Sequence, residues 1–302
     1  MLFEKSTRYV KMFSLLFIAI PFLVFTSSCA RKEAIRPPAK PARVAVVLGA
    51  GASRGFAHIG VLKVLEANRV PIHMIVGTSA GSFVGSLYAY GLDAFEIQKL
   101  ALSIEKGDII DLMFPDNGFI GGEKLEEFVN KTVKNTPIEK FRTPFYAVAT
   151  NIQTGQEAVF FKGSAGKAVR ASCSIPGVFR PVRIADSMYI DGGTVSPVAV
   201  DTAKRYGADI VIAVDISSDL NTKQPEGTID TILQAVNIMY SELSYKQLSK
   251  ADIIIRPKVG SIGSSDFEKR HEAILEGEKA ASEALPAIQK IIDNLRQEGR
   301  LN

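Results

Sequence analysis

The sequence predicts one α/β domain, a sheet covered by helices, and three observations carry that expectation. From Arg43 onward, apolar runs rich in Val and Ile alternate with stretches of helical periodicity. Those runs are continuously apolar rather than alternating, which suits strands buried on both faces. The composition is that of a globular chain, with 302 residues, 23% charged, 46% hydrophobic, 24 Gly and 14 Pro, so disorder throughout is excluded and a large core is available without metals or disulfides.

Taken in order, the expected strands are Val44 to Leu48, His73 to Val76, Phe145 to Thr150, Glu157 to Phe161, Ile210 to Asp215 and Ile253 to Arg256. The expected helices are Ala57 to Ala67, Ala80 to Tyr90, Ala94 to Leu102, Gly122 to Thr132, Thr231 to Leu248 and Phe267 to Arg296. No internal repeat or linker splits this body, so residues 207–302 are expected to complete the same fold as 43–206.

Ahead of the body lies a different kind of sequence. Lys5, Arg8 and Lys11 precede an uncharged apolar run from Met12 to Phe25 and then Thr26-Ser27-Ser28-Cys29, the order of a secretory signal. Residues 1–28 resemble a bacterial lipoprotein signal, with Cys29 as the acylated first residue; Thr26 stands where such signals usually carry Leu, Val or Ile. The competing reading is one uncleaved membrane anchor, since Met12 to Ala30 approaches the ~20 residues that span a bilayer. Residues 29–42, with Pro37, Pro38 and Pro41, read as an extended tether. The expected location is the bacterial cell envelope, at the periplasmic side of the outer membrane. With Cys29 lipidated, Cys173 has no partner and no disulfide is expected.

Nothing in the net charge argues for nucleic acid, and none is expected. The chain carries +4, which falls to +2 beyond residue 28 because the leader holds three basic residues against one Glu. Two Cys and three dispersed His give no metal pattern, and no metal or other cofactor is expected.

The chemistry concentrates in three segments. His73 to Ser82 is a short apolar strand running into Gly77-Thr78-Ser79-Ala80-Gly81 and then a helix, the pattern that projects a serine Oγ from a sharp strand-to-helix turn. The following helix N-terminus favours an oxyanion. The alternative is that Ser79 merely caps the helix. Upstream, the first strand leads into Gly49-Ala50-Gly51-Ala52-Ser53-Arg54-Gly55, whose backbone N–H groups can hold the negative oxygen of a tetrahedral intermediate, typically worth ~2.7 to 4 kcal/mol per donor. A dinucleotide loop would need glycine at Arg54 and an acidic residue at the end of the second strand, so no nucleotide is expected.

A serine needs a base. His58, His73 and His271 each read as surface or packing residues, whereas Asp191 in Tyr189-Ile190-Asp191-Gly192-Gly193 is a carboxylate at a glycine turn. Its ordinary pKa of about 3.9 makes it a weak base unless a low-dielectric pocket raises it. An Asx turn is the structural alternative.

These motifs in this order make the chain resemble the patatin-like phospholipase family. Gly49 to Gly55 matches the family's oxyanion loop, Gly77 to Gly81 its nucleophile, and Asp191-Gly192-Gly193 its Asp-Gly-Gly or Asp-Gly-Ala. Phe119 to Leu125 and Ala171 to Phe179 are similar to its other blocks, and the likeness covers Val44 to Tyr206, about half of the chain. Ala50 departs from the glycine often found there. The resemblance implies a three-layer α/β sandwich with a mainly parallel sheet. It also implies a Ser79–Asp191 dyad without His, an oxyanion hole among Gly49, Ala50, Gly51 and Ala52, and metal-free hydrolysis of phospholipid or other acyl esters. Arg54 is a candidate for a lipid phosphate or for a structural ion pair. Ile109 to Phe114 and Phe119-Ile120 are candidates for a lip admitting acyl chains or for core. Two rival functions remain at this stage: a tethered lipid-binding or scaffold protein without turnover, and a Ser-Asp-His hydrolase using His271.

Overall fold

In the first strand, β1 (Val44–Leu48), Val44, Val46 and Leu48 face one hydrophobic cluster while Ala45 and Val47 face another, so a strand without polar positions is buried on both sides. The computed structural model describes residues 39–112, 118–217 and 224–301. The leader, Cys29 and most of the tether lie outside the described residues. Lys40–Asn302 forms one compact unit.

A 3₁₀ turn (Ala52–Gly55) follows β1, then α1 (Phe56–Ala67), β2 (Met74–Thr78), α2 (Ala80–Tyr90), α3 (Ala94–Ser103) and the one-turn α4 (Lys106–Ile109). Next come α5 (Glu123–Thr132), β3 (Phe145–Asn151), β4 (Glu157–Phe160), α6 (Ala165–Ser172), β5 (Val182–Ile184), β6 (Ser187–Asp191) and α7 (Val200–Arg205). The chain closes with β7 (Ile210–Val214), α8 (Thr228–Leu248), β8 (Ile253–Ile255) and α9 (Arg270–Gln297).

The sheet has eight strands in the order β5-β6-β3-β2-β1-β7-β8, with β4 on the other edge of β3. Strands β8, β7, β1, β2 and β3 run parallel; β4, β5 and β6 are antiparallel additions. Residues of α1, α2, α3, α5, α6 and α9 fill one face, and those of α7 and the end of α8 the other, which makes three layers. Helix α9 lies directly against α1, where a Cβ on Gly277 would come within 2.0 Å of the Ala57 carbonyl oxygen. Strands β7 and β8 extend the same sheet beside β1.

Three departures from the sequence reading bear on the site, one of them helix α6, which was not among the expected helices. Strand β2 runs on to Thr78 rather than stopping at Val76, and so delivers the next residue directly to the turn. The β5–β6 hairpin was not expected from the sequence. It pairs Ile184 with Ser187 across the two-residue turn Ala185-Asp186, which lacks the Gly or Asn that usually marks such a turn.

Candidate active site

Strand β2 ends at Thr78, helix α2 starts at Ala80, and Ser79 makes the whole turn between them at φ 54° and ψ −124°. A non-glycine residue there is strained. The bend is possible only because its neighbours are bare: a Cβ on Gly81 would fall 2.0 Å from the Leu48 carbonyl oxygen, and one on Gly77 2.5 Å from that of Gly81. The Ser79 N–H donates to Ser172 Oγ at 2.9 Å, and the Ser172 hydroxyl donates to the Val148 carbonyl at 2.5 Å. Helix α6 thereby clamps the turn to β3.

The partner arrives by sheet register. Thr78 lies opposite Val148 on β3, and Asp191 lies opposite the next residue, Ala149. Strand β4 occupies the other edge of β3, so β2 and β6 meet end to end along one edge. The residue after Thr78 and the last residue of β6 therefore converge although 112 positions separate them in sequence. Ser79 Oγ donates to Asp191 Oδ2 at 2.5 Å. Asp191 Oδ1 accepts from Gly193 N at 2.7 Å, and the Asp191 backbone is fixed by Ser174 O at 2.8 Å and by Thr150 Oγ1 at 3.0 Å.

Burial is complete at Asp191 and pushes its carboxyl up to about 6, against the opposing pull of donors including Ser79 and Gly193. Such a group is ionised at neutral pH yet a stronger base than an exposed carboxylate. No histidine is hydrogen-bonded to either residue. His58 is buried with Nε2 on the Gly49 carbonyl at 2.8 Å, and burial lowers its pKa to about 4. His73 Nδ1 accepts from Val44 N, and His271 is exposed at the start of α9.

The glycine loop separates into two halves. The amides of Gly49 and Ala50 donate to the carbonyls of Val214 at 3.0 Å and Pro197 at 2.9 Å, so they are spent on holding the loop and are not available to an oxyanion. This corrects the four-residue expectation. The amides of Gly51 and Ala52 have no hydrogen-bond partner among the described residues.

A family model described as patatin-like phospholipase matches residues 46–204, more than half of the chain. The chain belongs to the patatin-like phospholipase family. Among curated relatives of this patatin-like chain, "Lysophospholipase nte1" of Aspergillus fumigatus is 37% identical over 191 residues, covering 61% of this chain and 12% of that protein. "Lysophospholipase NTE1" of Coccidioides immitis is 31% identical over 291 residues, covering 85% and 18% respectively. The chain thus spans less than a fifth of the length of these relatives. VipD from Legionella pneumophila has a similar fold, with a TM-score of 0.56 and 13% identity over 83% of this chain and 68% of that one.

In this patatin-like site, Ser79 and Ala52 open onto an apolar cavity of about 220 Å³. Phe83, Val84 and Leu87 of α2, with Ile97 and Leu100 of α3, line it, so it extends along α2 away from the serine. Ile109, Ile110 and Ile120 are on its wall; 113–117 lie outside the described residues. Arg54 is buried, with Nε donating to the Ile262 carbonyl at 3.0 Å, and it borders a second, polar cavity that shares Leu233, Ser264 and Ser265 with the first.

Sequence reasoning did not single out Ser172, Ser174 or Tyr240. The two serines fall within the Ala171 to Phe179 block, which gave a place but no role. Tyr240 reads as one apolar position on a long helix.

Proposed function

We propose that the protein is a serine hydrolase of lipid acyl esters, of phospholipase A or lysophospholipase type, acting through a Ser79–Asp191 dyad and an acyl-enzyme. The observation that carries this reading is the 2.5 Å bond from Ser79 Oγ to a buried, basic carboxylate at an apolar cavity. Asp191 takes the serine proton as Oγ attacks the ester carbonyl carbon. The amides of Gly51 and Ala52 hold the developing oxyanion. Collapse breaks the ester C–O bond, and the leaving alcohol takes the proton back from Asp191. Water then attacks the acyl-enzyme with Asp191 again as base, releasing the fatty acid and restoring Ser79.

The cavity suits an acyl chain lying along α2, since burying methylene groups against Phe and Leu is favourable by about 0.8 kcal/mol each. Lipidation at Cys29 and the 29–42 tether would hold this domain at the periplasmic face of the outer membrane, beside such substrates. Replacing Cys29 with Ala is expected to move the protein from the membrane fraction to the soluble one; unchanged fractionation contradicts the anchor.

The test of activity is direct. Incubated with phospholipid and lysophospholipid vesicles, wild type releases fatty acid detectable by mass spectrometry, while Ser79→Ala and Asp191→Asn release none above background. Dialysis against a chelator leaves the rate unchanged. A wild type that binds vesicles without releasing fatty acid would establish a lipid-binding role instead, and loss of activity in His271→Ala would establish a triad.

A further inference from the structure

Tyr240 of α8 has its ring buried, and its phenol oxygen is buried without a hydrogen bond of normal geometry among the described residues, although Asp191 and Thr194 stand close enough to interact with it. A buried hydroxyl left unpaired is costly, and phenylalanine would fill the same space without that cost. What surrounds the hydroxyl gives it a role. The ring lies on the Asp-Gly-Gly turn, where a Cβ on Gly193 would sit 2.3 Å from Tyr240 Cζ and 2.8 Å from its oxygen. The amide of that same Gly193 holds Asp191 Oδ1. The side chains of Asp191, Thr194 and Cys173 face the phenol. Cys173 is buried and free, and burial pushes its thiol well above the usual range, so Asp191 is the charged group in this set at neutral pH.

We propose that Tyr240 is a positioning residue for Asp191, its phenol O–H serving as a third donor to the carboxylate that keeps the base ionised and aligned with Ser79. The inference rests on the dyad reading above. In the resting site Asp191 already accepts from Ser79 Oγ and Gly193 N. When Oγ swings toward substrate, the buried carboxylate loses one donor, and the phenol beside it is an O–H able to replace it. Hydrogen bonds of this kind commonly tighten only when substrate is bound. Burial and the neighbouring carboxylate also raise the phenol well above its usual range, so it stays a protonated donor at every pH at which Asp191 works. The same contact accounts for the second glycine of the motif: the methyl of the family's alternative, Asp-Gly-Ala, would strike the Tyr240 ring in this chain.

The experiment measures the rate constant for labelling by a fluorophosphonate against pH, in the full domain, for wild type, Tyr240→Phe, Asp191→Asn and a protein carrying 3-fluorotyrosine at position 240. Wild-type labelling is expected to rise with pH as Asp191 ionises. In Tyr240→Phe the rising limb moves up by about half to one pH unit, so that labelling at pH 6 falls about twofold to fivefold and largely recovers above pH 8. The fluorinated phenol, a stronger donor of nearly the same volume, moves the limb the other way and serves even if Tyr240→Phe fails to fold. A limb unmoved by the fluorinated residue, or by Tyr240→Phe in a protein with a wild-type thermal melt, overturns the proposal. Failure of the dyad itself would look different: Asp191→Asn would label as fast as wild type.

Discussion

Ser79 sits at a backbone conformation suited to glycine, and Asp191 is a carboxylate placed where ionisation is opposed by burial. Both costs are ones that the proposed dyad would require. Ser79→Gly and Ser79→Ala each remove the hydroxyl, but only glycine relieves the φ of 54°, so the glycine variant is expected to be more stable by about 1 kcal/mol in denaturant melts. Equal stabilities would show that the turn is unstrained. The Asp191 carboxyl is raised in the fold from 3.8 to about 6, so the native state holds its proton more tightly than the unfolded chain. Its contribution to stability is therefore whole below about pH 3.8 and lost as pH rises through about 6. Relative to wild type, Asp191→Asn should gain about 2 to 3 kcal/mol between pH 4 and pH 8. A stability difference independent of pH would contradict the raised carboxyl.

Among the elements, the β5–β6 hairpin has the clearest functional consequence, because it carries Asp191 to the end of β2. Its turn residue Ala185 has φ 51°, so Ala185→Gly is expected to stabilise the protein by about 0.5 to 1 kcal/mol while leaving labelling unchanged. A loss of stability would mean that the turn does not hold this conformation in solution. The same hairpin marks where sequence reading stops. Strand β1 and helix α2 coincide with expectation residue for residue, since an unbroken apolar run and a helical period ended by Gly91 are local signals. The Ala185-Asp186 turn carries no such signal, and a three-residue strand has too few positions to show a period. The site divides in the same way. Ser79 and Asp191 are legible because each stands at a sharp turn that needs glycines beside it. The occupation of the Gly49 and Ala50 amides is not, because it depends on carbonyls of Val214 and Pro197 more than 140 residues away. Likewise Arg54 offers a phosphate ligand in sequence and, in the fold, a buried side chain holding the Ile262 carbonyl.

For the whole molecule, the parallel sheet places one strand-to-helix turn at the end of an apolar layer, and the cavity is a gap within that layer. Leu87 lines it eight residues along α2 from Ser79, about 12 Å at helical rise. Leu87→Trp should therefore block long acyl chains and spare short ones: hydrolysis of hexadecanoyl esters falls at least about tenfold relative to butanoyl esters. An unchanged ratio would mean that the chain does not lie along α2. The central claim is tested most directly by locating the adduct after fluorophosphonate treatment. The account predicts one adduct, on Ser79, absent in Ser79→Ala and severely slowed in Asp191→Asn. Labelling of any other residue, or full-rate labelling of Ser79 without the Asp191 carboxylate, would contradict it.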